Sequence, residues 1–289
     1  MTFKNSISGL NLGGGKAVII GDAKTLKTPE LMTRFGLFVE SLSGKYITAE
    51  DVGMETKDMD IVNKVTKHVA GISVENGGSG NPSPITAYGV FMGMKAAAKY
   101  KFGTDNLEGK KVLVQGIGHV GEVLVEHLTK SGAIVTITDI NEERVHQIGA
   151  KYGAKIFTGD DLYAADVDIY APCALGATIN DETINKFKAK VIAGAANNQL
   201  ANEAVHGKLL KEKGILYAPD FLINAGGVIN VYSEIVHWSK EQVIEKTENI
   251  YNTALDIFNL ADANNITTHQ AAFTMAQKRI DDTKNALNK

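Results

Sequence analysis

The chain has 289 residues, 44% of them hydrophobic and 22% charged, the balance of a folded protein rather than a disordered, collagen-like or coiled-coil one. At about one domain per 150 residues, two domains are expected. With 30 basic against 33 acidic side chains the net charge is −3, so no basic excess favours nucleic acid, and the single cysteine, Cys173, excludes an internal disulfide framework and a thiolate zinc site.

In chain order, residues 17–20 (Ala-Val-Ile-Ile) read as a short apolar strand ended by Gly21 and Asp22. Residues 29–43 read as a helix. Thr28 can cap it, Pro29 suits its first position, Gly44 stops it, and Leu31, Phe35, Phe38, Val39 and Leu42 mark one face. Residues 46–49 look like a strand running into Glu50 and Asp51, and 56–69 like a second helix with Met59, Val62 and Val69 inward. The glycine-, asparagine- and proline-rich stretch from Gly71 to Pro84 is the best domain boundary, and Ser83-Pro84 opens a helix to about Phe102.

From Lys111 the pattern alternates. Val112–Gln115 is a strand, 118–131 a helix, 134–138 a strand and 141–152 a helix, with further strands near Ile169, Val191 and Ile215. Alternation of this kind implies parallel strands joined by right-handed crossovers, an α/β fold. The last fifty or so residues read as helical, a tail able to lie back across both halves. No signal peptide or membrane-length apolar run is found, so a cytoplasmic location is expected. The seven histidines show no ligand spacing, and no metal site is expected. Cys173 reads as a small buried apolar group rather than a nucleophile.

Gly116-Ile-Gly118-His-Val-Gly121 follows the strand 112–115 directly and opens a helix. The first glycine permits the turn, the second lets a pyrophosphate approach backbone N–H groups, and the third lets helix pack on strand. Asp139 ends the next strand at about the 20-residue distance of a ribose-binding acid. A carboxylate there accepts from both ribose hydroxyls and repels a 2′-phosphate, so NAD is favoured over NADP, with Arg144 the residue that leaves the choice open. The alternative is a glycine turn in a sheet that binds nothing.

Lys4 and Lys16 flank a stretch ending in Gly13, Gly14 and Gly15. Three glycines in a row cost conformational entropy, and close backbone approach to a small ligand would explain them. A lysine at such a place can be dehydrated and sit near another cation, both of which lower its pKa toward neutral acid–base work. A flexible turn with two solvated lysines is the alternative. Asp51 stands at a strand end, where α/β folds face their cleft, although Asp before Val-Gly also suits a plain turn or cap.

Leu10-Asn-Leu-Gly-Gly-Gly-Lys16-Ala-Val-Ile-Ile-Gly-Asp22 resembles the active-site signature of the glutamate/leucine/phenylalanine/valine dehydrogenases. The resemblance continues through Ile47–Gly53, Ser79–Gly89, Ala171–Gly176, Asn198-Gln-Leu and Pro219–Asn230, and is strongest to the leucine dehydrogenases, over essentially the whole chain. It implies a Rossmann-type parallel-sheet domain and an α/β substrate domain with a cleft between them. Residues 1–80 and about 266–289 would form the substrate domain, and 81–265 the NAD-binding domain. By position, Lys4 would bind the substrate carboxylate, Lys16 would be the catalytic lysine that helps activate water, and Asp51 the proton-transfer carboxylate. Thr86, Asp139 and Asn198 match cofactor-contacting positions, and Asn224 one near substrate and nicotinamide. The signature departs at Ala23, where the family usually has proline. The start departs more. Met1 matches an internal methionine of the family, implying that an N-terminal segment is lacking, the substrate domain truncated and assembly impaired, with exposed apolar surface favouring aggregation.

The implied reaction is NAD-dependent oxidative deamination of an L-amino acid to a 2-oxo acid and ammonia, part of branched-chain amino acid catabolism. Asp51 would take the proton that frees the amino lone pair, Lys16 would activate the attacking water, and Lys4 would orient Cα. Cleft closure would exclude water. Val228 and Val231 lie three apart on one helix face, and an apolar pair cannot solvate a γ-carboxylate. With Ala49 they lean toward Leu, Ile and Val, unless both valines simply pack in the core. Phenylalanine or valine as substrate, or NAD binding without turnover, are the competing expectations. Relatives of this kind are homo-oligomers, so a homo-oligomer acting on a small-molecule substrate is expected, with no nucleic-acid or membrane partner.

Overall fold

The computed structural model describes residues 1–287. The C-terminal limit expected for the substrate domain takes in Asn288 and Lys289, which lie outside the described residues. The chain begins with α1 (Thr2–Ile7), a single turn α2 (Ala23–Leu26), α3 (Pro29–Ser41) and α4 (Thr56–Asn63). Helix α5 (Ser83–Phe102) then leads into β1 (Lys111–Gln115), α6 (His119–Lys130), β2 (Ile134–Thr138), α7 (Glu142–Tyr152) and β3 (Lys155–Ile156). The sheet continues with β4 (Ile169–Pro172), β5 (Val191–Ile192), α8 (Glu203–Glu212) and β6 (Leu216–Tyr217). Five helices end the described chain: α9 (Asp220–Ile223), α10 (Gly226–Val236), α11 (Lys240–Glu248), α12 (Ile250–Ala263) and α13 (Thr268–Leu287). None of the helices among the described residues is long and apolar enough to cross a membrane.

The six strands form one parallel sheet in the order β3-β2-β1-β4-β5-β6. Val112 stands opposite Val135 on one side and Ile169 on the other, and Val191 links Ile169 to Leu216. Side chains alternate between faces along a strand, and both faces here are covered. Val112, Val114, Ile169, Ala171 and Val191 enter the larger core, with α5, α6 and the C-terminal helices. Leu113, Tyr170 and Ile192 enter a second core with Tyr217 and Leu210. Burial on both faces is the rule for parallel sheets and explains the unbroken apolar runs of these strands. Strand order reverses at β1, because the chain leaves β1 toward β2 and returns to it with β4. Such a switch point opens a crevice at the carboxyl ends of the strands.

The N-terminal part has its own small core of Met32, Met59, Val62 and Val69. Helix α3 starts where the sequence indicates, with Thr28 accepting the Leu31 N–H at 3.2 Å and Pro29 in its first turn. Its inward face is met at Leu31 and Phe35, which pack on this core, and at Val39, but not at the other two expected positions. Met32, Gly36 and Val39 are buried, whereas Phe38 is 69% exposed and Leu42 also lies at the surface. Gly36 decides this rotation, because a Cβ there would lie 3.2 Å from the Val62 carbonyl oxygen. Helix α4 ends at Asn63, short of the expected 69. Thr66 turns the chain, donating to Glu40 at 2.6 Å and accepting the His68 N–H at 3.1 Å, so Val69 leaves the helix and bridges Thr48. The strands expected at 17–20 and 46–49 are not formed beyond that single bridge. Among the described residues no second extended segment hydrogen-bonds to residues 17–20, and Val18 and Ile20 are 77% and 96% exposed.

Helix α13 lies back along α1. Ser6 Oγ donates to the Ala276 carbonyl at 2.7 Å, and Arg279 donates to the Leu10 carbonyl and Asn11 Oδ1 at 3.1 and 2.7 Å. It also packs on α12, α8 and β6, so the tail spans both halves as its composition suggested.

Candidate functional site

The glycine loop between β1 and α6 shows a different reason for each glycine. Gly116 has φ +93°, and a Cβ there would lie 2.6 Å from Ala174. A Cβ at Gly121 would lie 2.1 Å from the Gly116 carbonyl oxygen, so this glycine lets helix meet strand. At Gly118 a Cβ would meet nothing within 4 Å. Packing therefore does not require that glycine; an open backbone at a helix N-terminus fits an approaching pyrophosphate. Asp139, at the end of β2, accepts the Ile117 N–H at 2.8 Å and the Asn141 N–H at 3.0 Å, one on each carboxylate oxygen. Each oxygen keeps a lone pair for a ribose hydroxyl. Arg144 donates to the Ile117 carbonyl at 2.5 Å and to Glu122 at 2.8 Å. Its charge is taken up beneath the loop, which removes the one feature that favoured a 2′-phosphate. The loop and its acid fit NAD.

The far wall of the crevice is made by the segments after β4, β5 and β6. Gln199 is fully buried and donates to the Gly194 and Ala196 carbonyls at 2.8 and 3.0 Å. Asn224 donates to the intervening Ala195 carbonyl at 3.0 Å and to Asn197 Oδ1 at 2.9 Å. Three successive carbonyls are thus held by two side-chain amides, while Asn224 Oδ1 is buried with no partner. An orphaned acceptor costs about 1–3 kcal/mol unless something donates to it, so it fits a group supplied by a ligand. Asn198 is exposed with φ +53°, a conformation asparagine tolerates, and its carbonyl accepts the Ala177 N–H at 2.7 Å. Thr86 opens α5, donates to the Pro82 carbonyl at 2.9 Å and faces Gly227, where a Cβ would lie 2.7 Å from its hydroxyl. Burial pushes the Cys173 thiol up to about 12, which makes it a packing group.

Lys16 and Asp51, 35 residues apart, meet in direct contact between ammonium and carboxylate. The triple glycine explains how Lys16 gets there. A Cβ at Gly14 would lie 2.2 Å from the Thr2 backbone nitrogen, and one at Gly15 would lie 2.8 Å from the Tyr46 ring. Asn5 donates to the Gly13 carbonyl at 2.5 Å. Gly14 and Gly15 are thus needed for close approach to α1 and Tyr46, whereas at Gly13 a Cβ would meet nothing within 4 Å. The expected dehydration is corrected, because the Lys16 and Asp51 side chains are 53% and 45% exposed. It is Lys4, on α1, whose ammonium is crowded. Burial pushes it down to about 8, Asp220 opposes the shift and Lys16 adds to it. The two lysines and Asp220 thus form one electrostatic cluster.

Ala49 is partly buried beside Glu50. Burial raises Glu50 above the usual carboxylate range, opposed by the Thr56 hydroxyl and by the charge of His119 on the glycine loop. Val228 packs on the margin of the larger core, and Val231 stands by Gly71, where a Cβ would lie 3.5 Å from its Cγ1.

Glu50, Asn197, Gln199, Asp220 and Glu234 were not singled out by sequence. Asp220 and Gln199 lie inside motifs quoted above, but their burial is a tertiary fact. A sequence signal did exist for Glu234, the one carboxylate in the otherwise apolar and neutral run 226–236.

A six-stranded parallel sheet with this order, a glycine loop and acid suited to NAD, and a lysine–carboxylate pair in the N-terminal half fit a two-domain α/β dinucleotide-dependent oxidoreductase. The comparisons place it further. Residues 77–145 and 137–287 match the family described as Glutamate/Leucine/Phenylalanine/Valine dehydrogenase, and residues 1–68 match its dimerisation domain. The chain belongs to this family. It is 53% identical over 281 residues to the leucine dehydrogenase of Thermoactinomyces intermedius, covering 97% of this chain and 76% of that protein. Identity to the valine dehydrogenase of Streptomyces virginiae is 45% over 287 residues, covering 98% of this chain and 80% of that one. The crystal structure of L-tryptophan dehydrogenase from Nostoc punctiforme is similar with a TM-score of 0.83 at 41% identity, covering 99% of this chain and 81% of that one. Residues 1–68 match the family's dimerisation domain, so that domain is represented in this chain, and the expectation of impaired assembly has no support.

Proposed function

We propose that this chain is the catalytic subunit of an NAD-dependent oxidative deamination of branched-chain L-amino acids, with L-leucine preferred and valine and isoleucine also used. The observation that carries the reading is the contact of Lys16 with Asp51, a proton donor and a proton acceptor brought together by two separate segments. Bound NAD supplies the hydride acceptor. Lys4 holds the substrate carboxylate, which fixes where Cα stands. Asp51 takes the proton that leaves the amino nitrogen, and Lys16 donates to and orients the water that attacks the oxidised carbon. Asn224, with its free acceptor, lies near the substrate and the nicotinamide. Thr86, Gly116, Gly118, Gly121, Asp139 and Asn198 hold the cofactor, and Ala49, Val228 and Val231 line the side-chain pocket. An apolar pocket separates leucine from valine by only about 1–3 kcal/mol per methylene, so mixed use is expected.

In this reading residues 1–80 and about 266 onward form the substrate domain and 81–265 the cofactor domain, in a cytoplasmic homo-oligomer. Initial rates of NADH formation with L-Leu, L-Val, L-Ile, L-Phe and L-Glu test it. A ranking led by L-Leu supports it, one led by L-Phe or L-Val names another member of the family, and NAD binding without turnover on any of them refutes it. Lys16→Ala is expected to abolish turnover and leave NAD affinity nearly unchanged. Normal activity in that variant would overturn the assignment of the lysine.

A further inference from the structure

Residues 71–80 form a compact loop between the two halves. The Gly80 N–H donates to the Ile72 carbonyl at 3.0 Å and the Gly78 N–H to the Ser73 carbonyl at 2.9 Å. A Cβ at Gly78 would lie 2.2 Å from the Ile72 carbonyl oxygen, so the loop closes on itself tightly. Asp60 of α4 accepts the Ser73 N–H at 2.9 Å and ties the loop to the substrate half. The neck of the loop is held from the other side. One carboxylate oxygen of Glu234, on α10, accepts the Gly71 N–H at 2.9 Å, the Ser79 N–H at 2.6 Å and the Ser79 hydroxyl. Asn230, one turn earlier on α10, donates to the same Ser79 oxygen at 2.9 Å. Gly71 and Gly80 have φ +77° and +70°, the left-handed conformation that lets the chain turn at both ends of the neck.

Three donors on one carboxylate oxygen make a strong, charge-assisted clamp, and its position ties it to the reaction. Gly71 sits against Glu50, where its Cβ would lie 3.6 Å from the Glu50 nitrogen. Glu50 precedes Asp51, and Asp51 holds Lys16. On the other side, the helix that carries Glu234 also carries Val228 and Val231. We propose that Glu234 is a positioning residue: by fixing the neck at Gly71 and Ser79 to α10, it registers the Lys16–Asp51 pair against the side-chain pocket. This rests on the catalytic reading of Lys16 and Asp51 given above.

Glu234→Ala tests it. The variant is expected to lower kcat for L-leucine by about 10- to 100-fold, the scale of a small misplacement of reacting groups, and to raise KM for L-leucine. KM for NAD should stay within about 2-fold, since the glycine loop is untouched. Glu234→Gln keeps a carbonyl oxygen at the neck and should recover most of the loss. Ser79→Ala should act in the same direction, and adding it to Glu234→Ala should bring little further loss, as coupled partners do. Independently of turnover, hydrogen exchange at the Gly71 and Ser79 amides should speed up in Glu234→Ala. Wild-type kcat and KM for L-leucine in the alanine variant, unchanged exchange at the two amides, or parallel losses toward NAD and L-leucine with a lowered Tm would each overturn the proposal. A wild-type protein that does not turn over L-leucine would instead count against the catalytic reading, while the amide exchange would still decide the clamp.

Discussion

Two lysines flank the glycine run, and their surroundings divide the work between them. Lys16 lies half open to solvent with its charge matched by Asp51, whereas Lys4 is crowded on α1, where burial brings it down to about 8. A carboxylate-binding lysine with that value loses its charge as pH rises through about 8 in the free protein. The dissociation constant of a branched 2-oxo acid, which has no amino group to titrate, should therefore rise above that pH. Calorimetric titration across pH 7–10 checks this, and a flat profile would remove Lys4 from the carboxylate site. The same shift has a sign for stability. An unfolded Lys4 keeps its proton to about 10.5, so between about 8 and 10.5 the unfolded chain binds more protons and stability climbs with pH. Lys4→Met should flatten that slope in denaturant unfolding.

The glycine loop, an element spanning the end of β1 and the start of α6, separates two effects that a sequence motif merges. Gly121→Ala drives a methyl to 2.1 Å from the Gly116 carbonyl oxygen, so it should destabilise the fold by about 1–3 kcal/mol, as overpacking does. Gly118→Ala meets no protein atom within 4 Å, so its Tm should match wild type while NAD affinity falls. Equal losses of Tm in both variants would show that Gly118 serves packing instead. Elements of the sheet half were legible because local pattern and tertiary demand agree there: α5 runs from Ser83 to Phe102 and β2 from Ile134 to Thr138, as read. The N-terminal elements were less so. The apolar stretch 17–20 has strand composition but no partner strand, and strand formation depends on pairing across the chain. The inward face of α3 was read correctly at Leu31, Phe35 and Val39 and wrongly at Phe38 and Leu42, because Gly36, which carries no hydrophobic signal, sets where α4 can approach.

At the scale of the whole molecule, the C-terminal helix joins distant parts of the site. Phe273 of α13 lies 4.5 Å from Phe3 and 5.3 Å from Phe221, centroid to centroid, and 4.8 Å from His269. Phe3 precedes Lys4 on α1, and Phe221 follows Asp220 on α9. This aromatic cluster therefore sets the spacing of the two charges. Phe273→Ala should cost about 2–3 kcal/mol and raise KM for the amino acid more than KM for NAD. Chemical unfolding and steady-state kinetics check the two halves of the expectation; a variant with unchanged KM values would confine the cluster to stability.

Resemblance to the family's motifs supplied candidates such as Thr86, Asn198, Asn224 and Ala49, whereas composition and pattern alone determined the α/β class, the parallel sheet and the dinucleotide loop with its acid. These are local: a period of two or 3.6, a glycine spacing, a cap, each written within a few residues. What only the tertiary structure decided is which groups meet. The Lys16–Asp51 contact, the crowding of Lys4 beside Asp220, the unpartnered oxygen of Asn224 and the three-donor clamp on Glu234 join residues as far apart as 216 positions, the separation of Lys4 and Asp220. Desolvation and charge pairing depend on distance in space, and no property of either residue's neighbours in sequence encodes that distance.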